Sequence, residues 1–103
     1  MPVDPYFRMT IEDIFFIRGR GTVVTGIISQ GSLSAGDIAV LYKRDSSTQV
    51  TVSGIEIFRR SVKTASAGDK VGVTLPDVVK GVVSRGDVLG GPDIDLEDYW
   101  WEM

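Results

Sequence analysis

Three groups of residues have side-chain types that could support catalysis or binding. Glu12 and Asp13 are adjacent carboxylates, residues 19–26 are rich in glycine, and residues 58–60 place a phenylalanine before two arginines. The sequence contains no histidine and no cysteine, which removes the commonest general base, the thiolate nucleophile and the usual zinc ligands. We therefore expect no catalytic residue, no bound metal and no cofactor, and the three groups are candidates for binding instead.

The glycine-rich segment, residues 19–26, does not satisfy the requirements of a nucleotide-binding loop. A dinucleotide fingerprint needs glycine where Val24 stands and a helix directly after it, and this sequence has no helical pattern there. The GxxxxGK[ST] motif is also absent. Hydrolysis of GTP or ATP by this chain alone is not expected, and Glu12 with Asp13 is better interpreted as a strand-end pair than as a glycosidase acid and base.

Basic side chains lie close to aromatic side chains in two parts of the sequence. The basic residues are Arg18, Arg20, Arg59, Arg60 and Lys63, and the aromatic residues are Phe15, Phe16 and Phe58. Arginine beside an exposed aromatic ring suits phosphate groups and unstacked bases. A solvated rim of charges is the alternative, and in the absence of other information it is the simpler interpretation.

The elements that would position these side chains are β-strands. Twelve glycines alternate with runs of valine and isoleucine, and no long stretch before residue 94 has helical periodicity. The spacing of the apolar runs is typical of a barrel or a sandwich. The predicted strands are Phe7–Ile11, Ile14–Ile17, Gly21–Ser29, Ile38–Lys43, Gln49–Phe58, Lys70–Leu75 and Val88–Leu89.

Three turns between strands share one sequence pattern, in which serine is followed two residues later by Gly-Asp. They are residues 34–37, 66–69 and 84–87. Glycine supplies a positive φ, and the aspartate can accept a hydrogen bond from a nearby backbone amide. We interpret all three as structural turns.

The alternation of apolar residues slips by one position at Gly54. Val50 and Val52 share one parity, whereas Ile55 and Ile57 share the other. A β-bulge at Gly54 would keep these aliphatic side chains inside and would place Glu56 and Phe58 together on the outer face. That outer face is a candidate contact surface, unless a loop of the same domain covers Phe58. The inward set predicted from alternation is Met9, Ile11, Val50, Val52, Ile55, Ile57, Val71, Val73 and Leu75.

Several motifs occur in an order that resembles the second domain of elongation factor Tu and related translational GTPases. They are residues 11–15 (IEDIF), 19–26 (GRGTVVTG), 54–60 (GIEIFRR), 67–73 (AGDKVGV) and 85–89 (RGDVL). The resemblance covers roughly residues 6 to 90. It implies an all-β fold, a closed or nearly closed antiparallel β-barrel, which agrees with the strands and turns above.

The resemblance also implies binding residues and partners. In that family the barrel lies beside a separate GTP-binding domain, holds the aminoacyl end of a charged tRNA and touches ribosomal RNA. By resemblance, the residues that face RNA here are Glu12, Asp13, Phe15, Arg20, Thr25, Glu56, Phe58, Arg59, Arg60 and Lys70. Lys70 stands where the family usually has asparagine, and its ammonium would repel the α-ammonium of an aminoacyl group.

The C-terminal segment differs in charge from the rest of the chain. The chain has 103 residues and a net charge of −3. Residues 1–92 contain eleven basic and nine acidic side chains, whereas residues 93–103 contain five acidic side chains and no basic one. We therefore expect a barrel domain over residues 1–92 and an acidic, tryptophan-containing tail over residues 93–103.

The tail has the spacing of a short amphipathic helix capped by Asp95. Leu96, Tyr99, Trp100 and Met103 follow the i, i+3, i+4, i+7 pattern of one helical face. A helix of this length needs a surface to pack against. The apolar stripe is therefore expected to dock either on an open end of its own barrel or on a partner.

Two hypotheses of function follow. The first is a non-catalytic binding module that acts in or around translation and contacts a tRNA acceptor end or ribosomal RNA. The second is a protein-interaction domain, whose partner is a GTP-binding domain or another translation protein and which docks through the tail or the face of Glu56 and Phe58. No stretch of about eighteen apolar residues and no signal peptide occurs, so a cytoplasmic location without a membrane partner is expected.

Overall fold

The fold is an antiparallel arrangement of short β-strands, described here from a computed structural model. The structure describes residues 2–96. Within them the strands are β1 (Arg8–Thr10), β2 (Asp13–Ile17), β3 (Gly21–Gln30), β4 (Ser32–Ser34), β5 (Ile38–Tyr42), β6 (Ser47–Thr51), β7 (Gly54–Ile57), β8 (Arg60–Val62), β9 (Thr64–Ser66), β10 (Lys70–Leu75) and β11 (Val88–Gly90).

One curled sheet contains nine of these strands. Its order is β6-β5-β11-β1-β3-β10-β7-β8, and β2 also pairs with β3. The long strand β3 connects the two halves, because its Gly21–Thr25 part pairs with β2 while its last residues pair with β1. Thus β1 and β2 lie end to end along one edge of β3, and β10 lies along the other edge. Strands β4 and β9 form a separate pair.

The two ends of the sheet are joined by two residues. Strand β6 is at one end of the order, β7 lies near the other end, and Val52 and Ser53 connect them. The Val52 amide donates to the carbonyl of Asp37 (2.9 Å), whereas the Ser53 amide donates to the carbonyl of Thr74 in β10 (3.0 Å). The sheet therefore curls into a nearly closed barrel, although the ladder of strand pairs is interrupted at this joint.

The slip at Gly54 is thus a change of pairing partner and not the predicted bulge. Strand β6 pairs with β5, and β7 pairs with β10 and β8, so the predicted strand Gln49–Phe58 is two strands. Phe58 lies in the turn after β7 and outside any strand. The predicted inward direction is nevertheless correct: Val50, Val52 and Ile55 are buried, and Ile57 is half-buried against the core.

The three Ser-x-Gly-Asp turns have the same hydrogen bonds, as predicted. In each, the aspartate amide donates to the serine carbonyl, and the serine amide donates to an aspartate carboxylate oxygen at 2.8–2.9 Å. The glycines have φ of +94°, +98° and +90°, which only glycine adopts without strain. These reciprocal bonds fix the turns that lead directly into β5, β10 and β11.

The core is formed by side chains that alternate inward along the curled sheet. Its largest fully buried members are Phe7, Met9, Ile11, Ile28, Leu33, Leu41, Ile55, Leu75 and Leu89. Leu33 of β4 and Ala65 of β9 pair directly and add to this core. Of the nine side chains predicted to face inward, all are buried except the half-buried Ile57.

The beginning and the end of the described chain meet beside β5 and β11. Pro2 forms a parallel bridge with Ile38, and the Asp93 amide donates to the carbonyl of Pro5 (2.9 Å). The hydroxyl of Tyr42 donates to the carbonyl of Gly91 at 2.6 Å. Of the predicted tail helix, only Asp95 and Leu96 are among the described residues, and Tyr99, Trp100 and Met103 lie outside them. Within residues 2–96, no helix is long and apolar enough to cross a membrane.

Candidate nucleic-acid interface

A groove of about 560 Å³ runs across the outer face of strands β2, β3, β10 and β7. The register of these strands aligns one lateral row of outward positions: Asp13 opposite Thr25, Thr25 opposite Gly72, and Gly72 opposite Glu56. The next row contains Phe15 opposite Val23. The residues that line the groove are Phe15, Ile17, Val23, Thr25, Glu56, Phe58, Arg59, Lys70, Val71 and Gly72.

Gly72 produces the depth of this groove. It lies between Thr25 and Glu56 in the lateral row, where every other residue type would project a side chain outward. A Cβ atom built on Gly72 would meet only the Cγ1 atom of Val23, at 3.7 Å, which is an ordinary contact. The space above Gly72 is therefore open, and it is available to a ligand.

One wall of the groove is the two-residue turn between β7 and β8. Phe58 and Arg59 occupy that turn, and Ile57 pairs with Arg60 across it. Both turn residues have positive φ, +50° for Phe58 and +66° for Arg59. Such hairpin turns normally use asparagine and glycine, because bulky residues are strained in this conformation. The fold thus holds a strained turn whose Phe58 side chain is 93% exposed.

The charges at the groove are unevenly paired. Arg20, from the loop between β2 and β3, makes an ion pair of 3.2 Å with Glu56. Asp13 is likewise paired with Arg85 at 3.1 Å. Lys70 and Arg59 line the groove, and among residues 2–96 they form no ion pair. The two cationic groups are therefore available to an anionic ligand.

The structure brings together six of the ten residues that the sequence and its resemblance assigned to RNA binding. Phe15, Thr25, Glu56, Phe58, Arg59 and Lys70 all line the groove. Arg20 reaches it through its ion pair with Glu56, and Asp13 extends the lateral row beyond Thr25.

Four of the ten predicted residues do not line the groove, and four residues of the groove were missed. Glu12 precedes β2, where its amide donates to the carbonyl of Thr25 (2.8 Å), and Arg60 begins β8. The missed residues are Ile17, Val23, Val71 and Gly72. Only the cross-strand register identifies them, although the outward parity shared by Val23 and Thr25 was a usable signal.

A second groove, of about 660 Å³, lies between the loop of residues 18–20 and the loop that follows β10. Its lining includes Phe16, Pro76, Val79 and Lys80. Phe16 and Val79 are 56% and 65% exposed, so they form an apolar surface without a cover from the described chain. Phe16 and Phe15 are consecutive in β2 and lie on opposite faces of that strand.

Residues 2–96 contain no group of three or more acidic side chains close enough together to hold a metal ion. Aromatic rings, two unpaired cations and a cavity open to solvent are instead the elements of a surface for an extended anionic ligand.

The curled antiparallel barrel and its outer groove define the class of a translation-factor barrel domain. Residues 21–90 match the family described as Elongation factor Tu domain 2, and the chain belongs to this family. The elongation factor Tu of the apicoplast of Plasmodium falciparum (isolate 3D7) is 42% identical over 93 residues, which is 88% of this chain and 23% of that protein.

A solved structure has the same fold. The chain superposes on translation elongation factor SelB from Methanococcus maripaludis, in its apo form, with a TM-score of 0.77 and 36% identity. The match covers 89% of this chain and 19% of that one. The chain thus spans about a fifth of the length of these two relatives, and it corresponds to one domain of a translation factor.

Proposed function

We propose that this translation-factor domain is a non-catalytic module that binds the single-stranded 3′ end of an RNA, such as a tRNA acceptor end, in the groove across β2, β3, β10 and β7. The observation that carries the proposal is the combination of two exposed aromatic rings, Phe15 and Phe58, with the unpaired cations Arg59 and Lys70 along one groove. Aromatic rings stack on bases, and the cations attract the phosphates.

The strained turn supports the same proposal. Phe58 and Arg59 adopt positive φ values that cost free energy in the folded state. Backbone strain of this kind is concentrated at binding sites, because the geometry that the ligand requires overrides local preference. A phenylalanine that contributes only to folding is normally buried in the core, whereas Phe58 projects from the barrel into solvent.

The test measures binding of a fluorescent acceptor-stem minihelix that ends in unpaired nucleotides. We expect weak binding that decreases as salt increases, since few phosphates are contacted. Phe58→Ala should reduce affinity at least about five-fold, because stacking on one aromatic side chain is worth about 1–3 kcal/mol. Removing the unpaired nucleotides should abolish the difference between the Phe58→Ala variant and the unmodified chain.

Arg44→Gln is the matched control for Arg59→Gln. Arg44 is an exposed arginine in the turn between β5 and β6 and does not line the groove. Equal losses from the two substitutions would indicate non-specific attraction to the barrel and would contradict the proposal. Absence of measurable binding at low salt would contradict it as well.

The second groove favours another candidate function, docking on a protein. Phe16 and Val79 form an exposed apolar surface. The cations on the lining of this groove are Lys80 and Arg20, and Arg20 is already paired with Glu56. The partner on this proposal is a GTP-binding domain of a translation factor. Binding to such a domain that is insensitive to salt, lost in Val79→Asp and retained in Phe58→Ala would support this function instead of RNA binding.

A further inference from the structure

Strand β5 is apolar on both of its faces, although only one of them faces the core. Ala39 and Leu41 point inward and are fully buried. Ile38 and Val40 alternate with them and lie on the outer face, where Ile38 is 47% exposed. A solvated face of an antiparallel sheet normally carries polar residues at such positions. The outer face of β5 therefore has the composition of a surface that another segment covers.

A groove of about 400 Å³ runs along this outer face, and we call it the β5 groove. Ile38 and Val40 line it together with Pro2 and Pro92, which come from the two ends of the described chain. None of the described residues on its lining is charged, and Gln49 of β6 supplies a polar side chain. The β5 groove therefore suits an apolar segment and not a nucleic acid, whose phosphates require cations.

The C-terminal end of the described chain already runs over the same face. Pro92 lines the β5 groove, and the side chain of Ile94 packs over Gly90, where a built Cβ would lie 2.7 Å from the Cδ1 atom of Ile94. Gly90 is the direct partner of Val40 in the sheet. The first apolar side chain of the tail is thus held on the outer face beside β5.

We propose that residues 97–103 dock in the β5 groove through the apolar stripe of Tyr99, Trp100 and Met103. Leu96 is four residues from Pro92 and hence at most about 14 Å from it, whereas residues 97–103 span up to about 25 Å of chain. The segment is therefore long enough to reach the groove. Aromatic side chains have the large apolar area that such a groove can cover. This docking does not depend on RNA binding.

Tryptophan fluorescence reports on the docking directly, because both tryptophans of the chain, Trp100 and Trp101, lie in this segment. We expect the emission of the full chain to be shifted to the blue relative to a peptide of residues 93–103. Trp101→Phe should keep the shift, since Trp100 lies on the stripe, and Trp100→Phe should lose it. Equal emission from chain and peptide, or a shift that follows Trp101, would overturn the inference.

Ile38→Asp tests whether the β5 groove is the docking site. A carboxylate in the groove should disfavour the apolar stripe and remove the blue shift. Ile27→Asp is the matched control, because Ile27 is 46% exposed on β3 and does not line this groove. Both isoleucines are partly solvated, so both variants should fold. A shift that persists in Ile38→Asp, or that is lost equally in both variants, would overturn the inference.

A quencher attached to a single introduced cysteine locates the segment, since the chain has no cysteine of its own. A nitroxide on Gln49→Cys, in the β5 groove, should quench the tryptophans more strongly than a nitroxide on Lys80→Cys, in the apolar groove beside Phe16. Stronger quenching from position 80 would place the segment elsewhere and overturn the inference.

Protein concentration distinguishes the chain's own segment from that of a second copy. A tethered segment docks at a fixed effective concentration, so the blue shift should stay constant over an about hundred-fold range of protein concentration. A shift that grows with concentration would mean that the segment of another copy fills the β5 groove, which would contradict the inference.

Discussion

At the scale of single residues, Gly72 determines whether the groove can hold a ligand. Gly72→Val would fill the space between Thr25 and Glu56, and its Cβ would clash with nothing, since only Val23 lies within 4 Å, at 3.7 Å. We expect the free energy of unfolding to change by less than about 1 kcal/mol, because valine favours strands. Affinity for the acceptor-stem minihelix should fall at least about five-fold.

Gly54→Val is the matched control for this prediction. Gly54 is also a strand glycine, it pairs with Thr74 in the adjacent row, and a Cβ there would meet nothing within 4 Å. It does not line the groove. Urea unfolding and minihelix titration of both variants check the prediction, and equal affinities for Gly72→Val and Gly54→Val would show that the groove is not the binding surface.

Sequence reasoning identified the charged and aromatic side chains of the groove better than its floor. Phe58 and Glu56 were predicted on an outer contact face, and both line the groove. The ion pair between Arg20 and Glu56 was not predicted, because it joins residues that are 36 positions apart and depends on how the barrel curls. Gly72 was missed for the same reason, since its neighbours come from other strands.

At the scale of elements, the hairpin of β7 and β8 has a strained and exposed turn, which binds RNA on the proposed function. Replacing Phe58 and Arg59 together by asparagine and glycine should raise the free energy of unfolding by about 1–2 kcal/mol, because these residues adopt positive φ with less strain. The same double variant should lose affinity for RNA. Chemical denaturation and minihelix binding measure the two effects.

Phe58→Ala separates the side chain from the strained backbone. Alanine keeps a side chain in the positive-φ conformation, so this variant should lose RNA affinity without gaining the stability of the asparagine-glycine turn. A double variant that is less stable than the unmodified chain would mean that Phe58 and Arg59 make stabilising contacts, and the strain argument would then be wrong.

The local sequence pattern correctly predicted those elements that are determined by residues within a single turn or a single strand. The three Ser-x-Gly-Asp turns were recognised because the hydrogen bonds between their serine and aspartate lie within four residues. The short strands β4, β8 and β9 were not predicted, since each contains a single apolar residue and therefore has no alternating pattern. The slip at Gly54 located the joint correctly, but it could not show that β6 and β7 pair with different neighbours.

At the scale of the whole molecule, the barrel was predictable from the ordered motifs, and the way it closes was not. The joint at Val52 and Ser53 links the turn before β5 to β10 through hydrogen bonds between segments far apart in sequence. Such pairings depend on the total curl of the sheet, which no single segment encodes. The meeting of Pro2, Pro5 and Asp93 beside β5 and β11 is likewise a property of the assembled barrel.

The contribution of Tyr42 to the stability of the closed barrel depends on pH. Its hydroxyl donates to the carbonyl of Gly91 at 2.6 Å, and burial together with the negative charge of Asp93 raises the pKa of Tyr42 above its usual value. The folded state therefore holds the phenolic proton more tightly than the unfolded chain does. The resulting stability is complete below pH 10, the ordinary tyrosine pKa, and is lost as pH rises through the raised pKa.

Tyr42→Phe should accordingly cost about 0.5–1.5 kcal/mol of unfolding free energy near neutral pH, where only the hydrogen bond to Gly91 is missing. Above pH 10 the unmodified chain loses the contribution of Tyr42, whereas the phenylalanine variant has no proton to lose at this position. The difference in stability between the two chains should therefore narrow as pH rises. Urea unfolding at neutral and at alkaline pH measures it, because the other titrating groups are shared and cancel in the comparison. A difference that stays constant or widens with pH would mean that Tyr42 does not hold its proton more tightly in the folded barrel.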